Sequence, residues 1–234
     1  MKTALVTGAS RGIGAAIART LKREGFKVYI NYNQSHDKAA ALAKELSALA
    51  VKADVSDMNE VQHMYDEIGG VDVLVCNAGI SEYGLFSDMS HEAWQKLFAV
   101  NVDGAYNCIQ CALPHMIGQK NGAIINISSV WGLCGASCEA AYSASKSALI
   151  GLSLALAKEL GPSGIRVNCI APGVIETDML SSFTEADKEA LRCETPLGRL
   201  GRPSDIAELC AFLASDKADF ITGQVIASDG GFAL

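Results

Sequence analysis

A tyrosine and a lysine stand four residues apart in Ala141-Tyr142-Ser143-Ala144-Ser145-Lys146. On a helix that spacing puts both side chains on one face, about one turn apart. A cation beside a phenol favours the phenolate, so Tyr142 is expected to titrate below its free value near ~10. A phenol tuned in this way can donate or accept a proton near neutral pH. Thirteen residues earlier, Ser129 closes the run Asn126-Ile127-Ser128-Ser129. Its hydroxyl can hydrogen-bond a carbonyl oxygen and stabilise negative charge that develops there. A lone Tyr-x-x-x-Lys is ordinary helix surface and gains meaning only from its neighbours. His36, His63, His91 and His115 complete no Ser-His-Asp set. They fall in helical or loop stretches away from the expected strand ends and read as structural or surface residues.

A second cluster lies near the amino terminus, in Thr7-Gly8-Ala9-Ser10-Arg11-Gly12-Ile13-Gly14. Glycines allow a tight turn and a close backbone approach to a pyrophosphate. The helix that follows would aim its leading amides and positive dipole at that anion. The next apolar segment ends in Ile30-Asn31-Tyr32-Asn33-Gln34-Ser35, with no carboxylate before Asp37. Enzymes that use NAD commonly place Asp or Glu there to hold the ribose hydroxyls. Its absence leaves room for a 2′-phosphate, and Arg11 can supply a guanidinium to that phosphate. The expected cofactor is therefore NADP(H).

These clusters need elements to hold them. Strands are expected at TALVTG, KVYINY, AVKADV, VDVLVCNAG, GAIINISS, GIRVNCIAPG and GQVIASDGG. Helices are expected over Ile13 to Glu24, Asp37 to Leu49, Met58 to Ile68, Ala140 to Leu160 and Pro203 to Ala214, with one long or two abutting helices over Ser90 to Met116. The strand segments are near-continuous apolar runs, as in a parallel sheet covered on both faces. Alternation of strand and helix along the whole chain predicts an α/β fold. The expectation is one Rossmann-like domain over residues 1–234, a doubly wound, parallel, seven-stranded sheet with helices on both faces. Ligands bind outside the carboxyl ends of such strands, and both clusters follow strands.

The 234 residues are 50% hydrophobic and carry a net charge of −7 without a Lys/Arg run, which argues against a nucleic-acid reader. The amino-terminal apolar run is too short for a signal peptide, and no stretch approaches the ~18 apolar residues of a membrane span. A cytoplasmic location is expected. Among the eight cysteines, Cys108 and Cys111 form one C-x-x-C, with no second pair or His pair to complete a zinc site. They read as small buried hydrophobes, and no metal is expected.

The chain resembles the short-chain dehydrogenase/reductases. The pieces that carry the resemblance are TGASRGIG, Asp54-Val55, Asn77-Ala78-Gly79, Asn101, Ser129, Tyr142-x-x-x-Lys146 and Pro172-Gly173. The resemblance implies that Tyr142 protonates the carbonyl oxygen and Ser129 polarises it. Lys146 would bind the nicotinamide ribose, and Asn101 would hold a water in a proton relay. It further implies that Gly8, Gly12, Ile13 and Gly14 lie along the phosphates, and Ser10, Arg11, Asn31 and Tyr32 are expected to bind the cofactor as well. Asp54 and Val55 would meet the adenine, and Asn77, Ala78 and Gly79 its ribose. Pro172, Gly173, Ile175 and Thr177 would contact the nicotinamide end.

Within that family the chain is most similar to the 3-oxoacyl-[acyl-carrier-protein] reductases, through INISSVWG, the run from Tyr142 to Gly173, TPLGRLGRPSDIA and FLASDKADFITGQ. This implies NADPH-dependent reduction of a carrier-bound or small-molecule ketone in fatty-acid synthesis, by a homotetramer or a dimer. Lys120, Arg199 and Arg202 are the basic residues open to an acidic carrier. Trp131 and Gly135-Ala136-Ser137-Cys138-Glu139 resemble instead the elongation-factor-P 5-aminopentanone reductases, where Glu139 would face a cationic amine. Acetoacetyl-coenzyme A, a hydroxysteroid, or a catalytically silent scaffold are further alternatives. Residues 175–200, with Met179, Leu180, Phe183 and Leu191, are the expected substrate lid.

Overall fold

A computed structural model describes residues 1–180 and 183–233. Ser181, Ser182 and the side chain of Met179, all within the expected lid, lie outside the described residues, as does Leu234. Seven strands form one parallel sheet: β1 (Thr3–Val6), β2 (Lys27–Tyr32), β3 (Leu49–Lys52), β4 (Val73–Cys76), β5 (Gly122–Ile127), β6 (Ile165–Pro172) and β7 (Val225–Ser228), in the order β3-β2-β1-β4-β5-β6-β7. The chain builds outward from β1 to β3, then crosses back to place β4 on the other side of β1. The reversal opens a crevice at the carboxyl ends of β1 and β4.

Successive strand residues point to opposite faces, and each face is covered. Ala4, Val6, Val28, Ile30, Val73 and Val75 pack with α1 (Gly12–Arg23), α2 (His36–Leu46) and α9 (Pro203–Ala214). Leu5, Tyr29, Leu74 and Ile124 pack with α3 (Met58–Ile68), α5 (Gly104–Gln119) and α7 (Ala140–Leu160). Cys108 lies fully within this second core, whereas Cys111 is only half-buried. Helix α7 is long and apolar enough by composition to span a bilayer, with a mean hydropathy of 1.2. Here it packs along β6 and buries the polar side chains of Ser145, Lys146 and Ser153.

Three segments depart from the sequence reading. The helix expected to reach Leu49 stops at Leu46, because Ser47 takes a left-handed conformation (φ 47°) and Leu49 begins β3. The 90–116 stretch keeps to the expectation of one long or two abutting helices, as α4 (His91–Phe98) and α5 joined by a π-helical turn at Ala99–Asp103. A short α6 (Trp131–Cys134) follows β5, and the lid contains α8 (Glu185–Glu194), which begins at a Thr184/Asp187 capping box.

Candidate active site

The turn after β1 is held open by neighbours. Gly8 has φ +61°, and a Cβ there would stand 2.8 Å from Ala78 Cα. Asn31 accepts from the Gly8 amide (3.2 Å) and donates to the Ala53 carbonyl (3.0 Å), so its side chain is spent tying the turn to β2. Gly14 lets α1 lie on the Asn77-Ala78-Gly79 loop, since a Cβ there would fall 2.5 Å from Asn77 Nδ2. Thr7 organises the join: its hydroxyl accepts from the amides of Asn77 (2.9 Å) and Ala78 (3.0 Å). That role was not anticipated, although Thr7 opens the glycine motif. Arg11 caps α1 with backbone alone, and the first turn has no acidic residue. Its leading amides are therefore available to an anion, and this donor set fits a dinucleotide's pyrophosphate.

Past β2, Tyr32 Oη lies 2.7 Å from His36 Nδ1. The expectation that all four histidines sit away from strand ends is thus corrected for His36, because α2 begins only four residues after the end of β2. Asp54 accepts from the Ser56 amide (2.9 Å), the Ser56 hydroxyl (2.6 Å) and Asn33 Nδ2 (2.8 Å). Val55 is buried against Gly104.

The polar cluster forms where β4, β5, the π-helical turn and α7 meet. Ser129 stands close enough to the Tyr142 phenol to act on it, and its hydroxyl accepts from the Trp131 amide (3.2 Å). Lys146 is 3% exposed and donates to the Ile127 carbonyl (2.9 Å), and its Nζ lies 5.6 Å from the Tyr142 ring centroid. One acceptor leaves two ammonium protons of Lys146 for other partners. A Cβ on Gly79 would sit 3.3 Å from both Lys146 Nζ and Asn101 Oδ1. Asn101 lies in the π-helical turn, a device that often re-aims side chains at functional sites. Its amide is fully used, accepting from Ile80 N (2.8 Å) and donating to Ile80 O (2.9 Å) and Ser145 Oγ (3.0 Å). Sequence reasoning passed over Ser145 and over Ser128, which donates to the Lys146 carbonyl (2.8 Å) and steadies the lysine's own turn.

The expected lowering of the Tyr142 pKa is not what the structure gives. Burial, then the nearby Glu139 carboxylate, push it up to about 12, and Ser129 opposes this only in part. Burial pulls Lys146 down to about 8, against the opposing influence of Cys169 and Cys76. The lysine is thus itself a strained cation, spending a proton on Ile127. Glu139 is pushed up by burial, and its Oε2 is buried with no hydrogen-bond partner.

The remaining predicted contacts line the other side of the crevice. Pro172 ends β6, the Gly173 amide donates to Ser228 O (3.1 Å), and Ile175 is buried and bridges to Gly201. Thr177 closes on the glycine turn, its methyl 3.5 Å from the Cβ position of Gly12. Ser10 and Ile13 are half-buried at the turn's rim. Of the basic residues open to a carrier, Arg199 is engaged by Asp205 at 2.6 Å. No group of three metal-ligating side chains occurs among the described residues.

A Rossmann-like sheet with a serine, a tyrosine and a lysine at the carboxyl ends of β5 and α7's first turns defines an oxidoreductase, and this chain belongs to the short-chain dehydrogenase/reductase family, whose members use a nicotinamide cofactor to interconvert CH–OH and C=O. A family profile described as enoyl-(acyl carrier protein) reductase matches residues 8–233. The chain is 46% identical to the 3-oxoacyl-[acyl-carrier-protein] reductase FabG of Staphylococcus aureus, over 100% of this chain and 98% of that protein. It is 43% identical to the uncharacterized oxidoreductase YmfI of Bacillus subtilis, over 99% and 98%. Among solved structures, a 3-oxoacyl-[acyl-carrier protein] reductase from Brucella melitensis superposes with TM-score 0.94 at 35% identity, over 100% of this chain and 91% of the other. A gluconate 5-dehydrogenase from Burkholderia cenocepacia, in complex with NADP and tartrate, superposes with TM-score 0.94 at 34% identity, over 99% and 94%.

Proposed function

We propose that this chain, working as one domain in the cytoplasm, reduces a ketone to a secondary alcohol with NADPH, and that the ketone is a 3-oxoacyl group on acyl-carrier protein. The observation that carries the reading is the gathering of Ser129, Tyr142 and the buried Lys146 ammonium, 5.6 Å from the Tyr142 ring and bonded to the Ile127 carbonyl alone among the described residues. Full-length similarity to 3-oxoacyl reductases supports the substrate class. The profile's description names an enoyl reduction instead, yet two hydroxyls on neighbouring elements, Ser129 and Tyr142, suit a carbonyl oxygen better than a carbon–carbon double bond.

The cofactor, when bound, supplies hydride to the carbonyl carbon. Ser129 and Tyr142 hold the carbonyl oxygen, and Tyr142 donates its proton there as negative charge builds. A Tyr142 held near 12 stays protonated throughout the neutral range, the form that reduction requires. Lys146 would offer its remaining donors to the cofactor's ribose. Gly8, Gly12 and Gly14 let the backbone meet the phosphates. The exposed apolar side chains of Tyr106 and Ile117 on α5, Leu154 on α7, Phe212 on α9 and Phe220 in the connection to β7 support a homotetramer.

The test compares NADPH oxidation by wild type and Tyr142→Phe with an acetoacetyl thioester of acyl-carrier protein, coenzyme A and the free ketone. A loss of at least ~10²-fold in Tyr142→Phe and a preference for the carrier-bound form are expected. Equal rates in the two proteins remove Tyr142 from the chemistry.

A second reading is favoured by Glu139, whose carboxylate oxygen is buried without a partner beside Tyr142. A buried carboxylate without a cation is costly, and an ammonium on the substrate would relieve it. That chemistry fits a ketone bearing an amine, such as the 5-aminopentanone group on elongation factor P. A kcat/KM for an aminoketone above that for its neutral isostere decides for this reading.

A further inference from the structure

The first turn of the lid carries an acid that reaches across the crevice. One oxygen of Asp178, Oδ2, lies 3.1 Å from Lys38 Nζ and 4.0 Å from Arg11 Nη1. Arg11 belongs to the turn after β1, and Lys38 to the first turn of α2 after β2. The two cations therefore close on one point from the two strands whose carboxyl ends bracket an adenosine ribose in this architecture. Tyr32 and His36, bonded to each other, join the end of β2 to the turn of α2 that carries Lys38. No acidic side chain other than Asp178 pairs with Arg11 or Lys38 among the described residues.

We infer that Asp178 is a built-in stand-in for the cofactor's 2′-phosphate, held by Arg11 and Lys38 until NADPH displaces it. The inference rests on the NADP(H) reading above and adds Lys38, which the sequence did not single out, as a second phosphate ligand. The exchange runs in the cofactor's favour. A phosphate monoester brings nearly two negative charges and three acceptor oxygens, whereas the carboxylate brings one charge on a side chain 61% exposed. The exchange also couples two events. Thr177, next to Asp178, packs over Gly12. Release of Asp178 thus frees the start of the lid when the adenosine end is filled, and only a cofactor with the 2′-phosphate makes the exchange. NADH has nothing to offer the two cations and leaves the ion pairs in place.

The experiment measures dissociation constants of NADPH and NADH by calorimetry, without substrate, for wild type, Lys38→Ala and Asp178→Asn. Exposed ion pairs are worth a few-fold in an equilibrium. Lys38→Ala should weaken NADPH about fivefold and leave NADH within twofold. Asp178→Asn should tighten NADPH about two- to fivefold, again without moving NADH. Wild type binding NADH at least as tightly as NADPH overturns the cofactor reading, and the inference with it. Wild type preferring NADPH, with Lys38→Ala unchanged or equally weak for both cofactors, overturns the clamp alone. Unchanged or weaker NADPH binding in Asp178→Asn overturns the stand-in.

Discussion

The two ends of the sheet treat their polar groups differently. At the amino ends, a cleft of about 280 Å³ is lined by Lys2, Asp72, Arg166, Asp216 and Asp219, and the first four of these charges are partnered. Asp72 accepts from the amide (2.7 Å) and hydroxyl (2.9 Å) of Thr3 and faces His115 at 3.5 Å. Lys2 pairs with Asp216, and Arg166 donates to the carbonyls of Ser215 and Ile221. At the carboxyl ends, Lys146 has one acceptor, α1 lacks a side-chain cap, and Glu139 Oε2 and Ser143 Oγ are buried without partners. Buried polar groups are normally satisfied. A fold that closes its hydrogen bonds at one end and leaves them open at the other marks the open end as the place for something else.

The largest effect should come from removing the open end's buried cation. Lys146→Met is expected to lower kcat/KM by at least ~10²-fold and to stabilise the fold. A drop from 10.5 to about 8 means that the folded chain holds this proton less firmly than the unfolded chain does. The resulting penalty is on the order of 3 kcal/mol at neutral pH, offset by about 1 kcal/mol for the Ile127 carbonyl that loses its donor. The penalty is complete below about 8, shrinks as pH rises toward 10.5 and is absent above that. Chemical denaturation at pH 7 and at pH 10 checks this, and a variant less stable at both would break the contrast between the ends.

The closed end should respond in the opposite sense. Asp72→Ala removes both Thr3 contacts and should cost about 1–3 kcal/mol of stability, with kcat unchanged within twofold. Burial alone would raise the Asp72 pKa, but the Thr3 and His115 contacts more than offset it and hold it low. Its contribution is therefore present above the unfolded carboxylate range and lost as pH falls below it. A large fall in kcat without a fall in stability would show that the amino-end cleft takes part in function.

At the open end, residue types and their spacing, together with the family resemblance, pointed to groups that the structure gathers in one crevice. Tyr142, Lys146, Ser129 and the glycine turn combine uncommon types at fixed spacing, and the alternation of apolar runs with helices fixed the doubly wound sheet around them. What escaped depends on contacts between distant segments. Thr7 matters because β4 returns beside β1, and Lys38 because the lid crosses to α2. The sign of the Tyr142 shift was misread because a Tyr-x-x-x-Lys spacing shows the cation and hides the burial and the Glu139 carboxylate. Helix α8 escaped because its hydrophobic residues are sparse and its start is set by a polar capping box.

The smallest effect probes the orphan acid directly. Glu139 is among the influences that raise Tyr142, second to burial. Replacing it with glutamine keeps the shape and removes the charge, so the Tyr142 pKa should fall. Reduction at pH 7 needs the protonated phenol, and a group near 12 loses little of that form, so its rate should stay within twofold for a neutral ketone. Alcohol oxidation needs the phenolate, so its pH profile should move to lower pH in Glu139→Gln, by a few-fold in rate on the rising limb between pH 8 and 10. Ser143→Ala, which removes the neighbouring unpartnered hydroxyl without a charge, should leave the profile in place. A profile unmoved by Glu139→Gln would mean that the carboxylate does not act on Tyr142. If the natural ketone carries an amine, the same variant loses about tenfold or more for that substrate alone, because the ammonium then meets an amide where a buried carboxylate stood.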